Sequence, residues 1–146
     1  LTPTAALYLP DTNIIVHYAR KDATAQFVEA TYSFRNSAIK PIVSIVTVGE
    51  IRSLSQGRQW GKAKLQIVEE FLAQCTIVSL DFAGIVDAYA ELDNYSIGIG
   101  RKMGDNDLWI ASTARITGAR IITTDKDFDH LHPKYLERDW TDPAIR

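Results

Sequence analysis

The chain has 146 residues, 46% hydrophobic and 23% charged, the balance of an ordinary globular protein with no disordered or low-complexity tract. Its formal net charge of −2 and pI near 5.9 argue against a nucleic-acid partner unless bound cations neutralise several of the acids. A single cysteine, Cys75, excludes an intramolecular disulfide and a cysteine-built zinc site, and no apolar run approaches the roughly 18 residues of a membrane span. Cys75 is expected to be a small buried hydrophobe in a reducing compartment. The N-terminus lacks the basic region and apolar core of a signal peptide, so a cytoplasmic protein of one domain over residues 1–146 is expected.

In chain order, Ala5 to Pro10 reads as a first strand that stops at Asp11-Thr12-Asn13, with Pro10 acceptable because it lies at the strand's end. IIVHYARKD follows as a helix. Ala23 to Ser37 reads as a second, with Phe27, Ala30, Thr31 and Phe34 toward one face, until Lys40-Pro41 breaks the pattern. The β-branched run Ile42 to Val46 predicts a second strand, leading through Thr47-Val48-Gly49-Glu50 into a helix around IRSL that ends at Gln56-Gly57. Trp60 to Gln74 predicts an amphipathic helix with Leu65, Val68, Phe71 and Leu72 on one side. Thr76 to Leu80 is the third strand, and Phe82 to Asn94 a helix through Ile85, Val86, Tyr89 and Leu92. Tyr95 to Met103, glycine-rich and basic at its end, reads as a loop, and a last short strand falls near Tyr135 to Trp140.

Between these lies the most informative stretch, Gly104 to Phe128, GDNDLWIASTARITGARIITTDKDF. Asp107, Ile110, Ala111 and Ala114 recur at the spacing of one helix face, which should pack inward, and Gly118 supplies a C-terminal stop. The short run Ile121-Ile122-Thr123-Thr124 then reads as a buried parallel strand that delivers Asp125 at its end. Strands alternating with helices predict a three-layer α/β/α sandwich with a mostly parallel central sheet. Right-handed crossovers gather the carboxyl ends of such strands on one edge, where ligands bind. Asp11 and Asp125 fall at two strand ends, Glu50 follows a third, and Asp107 begins the helix that leads to the fourth.

Four carboxylates within about 5 Å of one another would repel by roughly 3 kcal/mol per pair at an effective dielectric of about 20. Either some protonate, or divalent cations sit among them, and all-oxygen ligands favour Mg²⁺ or Mn²⁺ over zinc. The cation reading points to phosphodiester hydrolysis, with a metal-activated water and neutralised phosphate charge.

Asp11-Thr12-Asn13 after a first strand, the acid in TVGEIRSL, the helix NDLWIAS and TTDKDF after a later strand jointly resemble the PIN-domain ribonucleases, especially VapC-type toxins of toxin-antitoxin pairs. The four matches come in family order and cover nearly the whole chain, though each is weak alone. The resemblance implies a PIN-like fold and metal-dependent endonucleolytic cleavage of RNA, with Asp11, Glu50, Asp107 and Asp125 holding Mg²⁺ or Mn²⁺ and Asn13 and Thr123 supporting them. It also implies a tight-binding antitoxin and a homodimer, whose apolar contact Trp60 or the Ala23 to Ser37 helix could supply. Two departures stand out: Pro10 where an aliphatic residue is more usual, and the extra acids Asp105 and Asp127, which could exchange roles with Asp107 and Asp125. Single-stranded or loop RNA is the expected substrate, because strand ends set in a groove do not reach into an A-form duplex.

Plainer readings compete at several positions. Thr47-x-x-Glu50 fits a capping box, Asp105 fits an N-cap, and Asp125 or Asp127 could cap a short helix at FDHL. His17 lies on the helical face of Asn13 and either aims at the site or is simply half-buried; His130 and His132 have no ligand spacing. Trp109 faces away from Asp107 and belongs to core or interface. Arg101 and Lys102 are candidates to bind a phosphate backbone, with Arg52, Arg58 and Lys62 of the same kind, and a solvated loop is the alternative. Two rival functions also stand. A metal-dependent phosphatase or DNA nuclease on a related sheet is one, although an aspartyl-phosphate enzyme would want an acid where Asn13 stands. A non-catalytic PIN-like module binding RNA or protein is the other, and it would be expected to have lost site acids that this chain keeps.

Overall fold

Short β-branched and aliphatic segments make the sheet. The computed structural model describes residues 6–146, with strands β1 (Tyr8–Pro10), β2 (Ile42–Ser44), β3 (Thr76–Val78), β4 (Arg120–Thr123) and β5 (Arg138–Trp140). The pairs β1 with β4, β4 with β5 and β2 with β3 are all parallel, and β1 also runs close beside β2. The spatial order is therefore β3-β2-β1-β4-β5. Helices α1 (Thr12–Arg20), α2 (Ala23–Tyr32), α3 (Ile45–Gly57), α4 (Lys62–Ala73), α5 (Ile85–Gly98) and α6 (Asp105–Thr117) connect and flank the strands.

Successive strand residues point to opposite faces, and this divides the core in two. Leu9, Ile42 and Ile121 pack with Leu92, Ile110 and Ala114 of α5 and α6. Val43 and Ile122 pack on the other side with Ile14, Ile15, Val28, Val68 and Phe71 of α1, α2 and α4. Helices thus cover both faces of a parallel sheet, which is the expected α/β/α layering. The predicted inward face of α6 is realised: Ile110, Ala111 and Ala114 are buried, and Gly118 at φ 74° ends the helix with its N–H on Ala114 O. Pro10, the last residue of β1, costs no ladder bond that a longer strand would need; the Asp11 N–H bonds Ile122 O at 3.0 Å just beyond it.

The boundaries move where a cap overrides propensity. Ala5 lies outside the described residues, and the first ladder begins at Tyr8. The second strand stops at Ser44, whose hydroxyl accepts from the Val46 N–H at 3.1 Å, so Ile45 and Val46 open α3 instead of extending the strand. Glu50 consequently lies in the second turn of α3, and the Thr47-Glu50 capping box does not form. The second helix ends at Tyr32, because Ser33 turns left-handed at φ 55°; it buries Thr24, Ala25 and Val28 and leaves Phe27, Ala30 and Thr31 outside. Leu65 and Val86 are likewise on outer faces. Tyr95 to Gly98 continues α5 through the segment expected as loop, with Ser96 fully buried. Of the two surfaces expected to support a homodimer, Trp60 packs partly into its own core, while α2 presents Phe27 to solvent. No helix among the described residues is long and apolar enough to cross a membrane.

Candidate metal centre

Asp11 leaves β1 pointing into the end of the sheet. Its Oδ1 accepts from the Ile14 N–H at 3.2 Å, capping α1, and the side chain is buried at 4% exposure. Thr123 Oγ1 donates to Asp11 Oδ2 and accepts from the Asp125 N–H at 2.9 Å, so a single hydroxyl joins the ends of β1 and β4. Asp125 Oδ1 accepts in turn from the Asp127 N–H at 3.0 Å. Next in the chain, Thr12 Oγ1 donates to Glu50 Oε1 at 2.7 Å and lies 3.1 Å from Thr47 Oγ1, tying α1 to α3. Asp107 projects from the first turn of α6.

Asp11, Glu50, Asp107 and Asp125 all line one cavity of about 660 Å³ at the carboxyl edge of the sheet. They do not form one equal cluster of four. The tightest group is Asp107, Asp125 and Asp127, which each offer an oxygen within 4.8 Å of the others; Asp11 and Glu50 line the same cavity outside that group. Asp127 is exposed at the rim of this group. Asp105 turns away from the centre: its carboxylate accepts from Tyr89 Oη at 2.7 Å, so the supporting role expected for it is not what its geometry gives. Nor is it the N-cap of α6, which is Gly104; and Phe128, not Asp125 or Asp127, precedes the short turn at Asp129–Leu131.

The electrostatics follow from this crowding. Burial, reinforced by Asp107 and Asp125, pushes the Asp11 carboxyl up to about 7 against the lowering effect of its hydrogen bonds from Thr123 and Ile14. Burial also pushes Asp107 up to about 7, with Asp125, Asp127 and Glu50 adding to it. Asp127 is raised as well, by burial first and by Asp125 second. With protein groups alone, the centre therefore retains protons near neutrality that ordinary carboxyls have lost. An all-oxygen donor set that lacks its counter-charge fits a hard divalent cation, and the three clustered carboxylates supply ligands at suitable spacing.

The other singled-out residues separate clearly. Asn13 is exposed on the cavity wall. Arg101 and Lys102 border a recess beside Asp127 and His130. Arg52 is taken up by Glu69 on α4. His17 is buried with Nδ1 at 2.5 Å from Asp22 Oδ2, away from the acids, and His130 Nε2 meets Ser96 Oγ at 2.8 Å. Trp109 stacks on Tyr89 at 4.0 Å. Cys75 is half-buried, its Sγ 3.3 Å from Phe71 O. Thr12 and Thr47, which position Glu50, were not singled out as support; the signal available was that Thr12 follows Asp11 directly and Thr47 sits one helical turn before Glu50.

Comparison with known proteins places the fold and the family. Ribonuclease VapC2 from Haemophilus influenzae is 27% identical over 130 residues, covering 85% of this chain and 91% of that protein. The structure of VapBC-1 from nontypeable Haemophilus influenzae superposes with a TM-score of 0.75 at 24% identity, covering 92% of this chain and 97% of that one. VapBC2 from Rickettsia felis, solved bound to a DNA fragment from its promoter, gives a TM-score of 0.70 at 24% identity over 93% and 99% of the two chains. The PIN domain family matches residues 8–132, a span that begins at β1 and takes in every acid of the cavity, and the chain belongs to that family.

Proposed function

We propose that the chain is a metal-dependent endoribonuclease and the toxin of a toxin-antitoxin pair. The observation that carries this reading is the convergence of Asp11, Glu50, Asp107 and Asp125, from four separate elements, on one open cavity at the carboxyl edge of the sheet. The name of the Haemophilus influenzae relative supports ribonuclease chemistry, and the solved neighbours include a VapBC toxin-antitoxin system from Mycobacterium tuberculosis and a toxin-antitoxin complex from Klebsiella pneumoniae, which supports an antitoxin partner. In this reading the toxin acts on RNA in the cytoplasm. Single-stranded or looped RNA suits an open cavity better than a duplex.

In this reading Asp11, Glu50, Asp107 and Asp125 hold Mg²⁺ or Mn²⁺, with Asp127 able to join from the rim. When bound, the cation supplies a more acidic water and neutralises charge on the phosphodiester. The chain's own groups set the stage. Thr123 and the Ile14 N–H fix both oxygens of Asp11, and Thr12 fixes Glu50 Oε1, so two of the cavity's acids are oriented before substrate arrives. Asp107, set in the first turn of α6 beside Asp125 and Asp127, completes the donor set from the helix side.

A pool of single-stranded and structured RNA, incubated with wild type and Asp107→Asn in Mg²⁺, Mn²⁺ or EDTA, tests the proposal. Cutting that requires the metal and disappears in the variant is the expected result. Metal binding without cutting of any RNA would move the activity to another phosphoester, and absence of both would leave a non-catalytic binding module.

A further inference from the structure

We infer that a basic recess beside the acidic cavity holds backbone phosphates of single-stranded RNA next to the bond being cut. This rests on the ribonuclease reading and extends it from the reacting centre to the strand running away from it. A second cavity, of about 480 Å³, opens on the same edge and shares Asn13, Leu54 and Asp125 with the acidic one. Its cations come from three elements: Arg20 from the end of α1, Arg58 directly after α3, and Lys126 after β4. In a chain of net charge −2, three cations around one recess are a local concentration that bulk charge does not provide.

These cations are also uncommitted. Arg52, Arg115, Arg120 and Arg138 are all in ion pairs, whereas Arg20, Arg58 and Lys126 are in none among the described residues. Asp22, the acid nearest Arg20 in sequence, feels the Arg20 charge without pairing with it, its oxygens being taken by His17 and the Ala25 N–H. Lys126 is held in place: its Nζ lies 4.9 Å from the centre of the Trp140 ring, and Trp140 Nε1 donates to Thr124 O at 3.0 Å. A polyanion approaching a group of carboxylates needs fixed positive charge along its path, because a cation at the reacting phosphate screens only that phosphate. The recess opens into the acidic cavity through Asn13 and Asp125, so one strand can occupy both. This continuity with the reacting centre is what favours a nucleic-acid strand over an acidic peptide of a protein partner.

Three variants test this: Arg58→Gln/Lys126→Gln, Arg20→Gln, and the charge-matched control Lys40→Gln/Lys134→Gln, whose positions precede β2 and β5 on the opposite edge. Cleavage of a short labelled single-stranded RNA of mixed sequence is followed in Mn²⁺, and binding of the same RNA by anisotropy in EDTA across a salt series. The double variant is expected to raise KM about tenfold with kcat within about twofold, and each lost cation to reduce the slope of log Kd against log salt by about 0.7, with the control unchanged. Unchanged KM and salt slope overturn the inference, as do equal losses in the control. A double variant that keeps its RNA KM but escapes inhibition by its protein partner assigns the recess to that partner and also overturns it. Failure of the ribonuclease reading shows separately, as no cutting by wild type in any metal; the anisotropy slopes then still decide on the recess.

Discussion

Replacing Asp11 with Asn should destroy activity and yet stabilise the metal-free protein. The Asn side chain keeps Oδ1 for the Ile14 N–H, and its Nδ2 can donate to Thr123 Oγ1, which has a lone pair left after accepting from the Asp125 N–H. What changes is charge. The carboxyl of Asp11 sits at about 7 in the folded chain against an ordinary 3.8, so ionising it at neutral pH opposes folding by up to about 4 kcal/mol at 1.36 kcal/mol per unit. Relaxation and water entry reduce this, and about 2 kcal/mol is the working expectation, or roughly 4–8 °C in Tm for a domain of this size. The pH dependence carries the sign. Between about pH 4 and 7 the native state keeps a proton that the unfolded chain has released, so wild-type stability falls as pH rises, and above 7 the penalty is constant. In EDTA, wild type and variant should therefore match near pH 4 and diverge toward pH 8 in favour of the variant. Millimolar Mg²⁺ or Mn²⁺ should reverse the order, because ligand binding stabilises only the protein that holds it well. Thermal unfolding followed by circular dichroism across this pH series, with and without metal, decides. A variant less stable than wild type at pH 8 in EDTA, or a difference that does not change with pH, would refute the reasoning.

Thr12→Val removes the hydroxyl that fixes Glu50 while keeping shape, and should lower metal affinity or cleavage by about 10–100-fold with folding retained; comparison of metal titration and RNA cutting checks it. Asp22→Ala removes both the N-cap of α2 and the partner of buried His17, and should cost about 1–2 kcal/mol in urea unfolding with little effect on cleavage. The loss should fade as pH falls through the carboxylate range: burial opposes ionisation of Asp22, but the Ala25 N–H and His17 outweigh it and hold its folded carboxyl below the ordinary value. The Cys75 thiol is pushed up to about 12 by burial, so iodoacetamide at pH 8 should label it far more slowly than a free thiol; labelling at the rate of free cysteine would contradict its placement.

Much of this arrangement is written in local pattern. The apolar spacing through Asp107, Ile110, Ala111 and Ala114, the stop at Gly118 and the β-branched run before Asp125 each reflect a periodicity or a backbone requirement that one stretch carries alone. Strand ends that carry acids were enough to anticipate a shared cavity. Features decided by competition were less legible. Ile45 and Val46 favour a strand, but the Ser44 hydroxyl caps a helix there, and that shift moves Glu50 one turn deeper into α3 and out of a capping box. Ser96 buries a turn of α5 that the following Gly98 and Gly100 suggested was loop. Side-chain direction is tertiary information: Asp105 turns to Tyr89, two residues from Asp107, and only the fold decides which of the two faces the cavity. The basic recess was hidden for the same reason, since Arg20, Arg58 and Lys126 are far apart in the chain and meet only after β1, β2 and β4 align.

Anomalous diffraction from Mn²⁺-soaked crystals tests the metal centre most directly. The account predicts a peak inside the acidic cavity, ligated by Asp107 and Asp125 together with Asp11 or Glu50, and lost in Asp107→Asn. A cavity free of anomalous signal at saturating Mn²⁺, or signal only at carboxylates elsewhere on the surface, would contradict it.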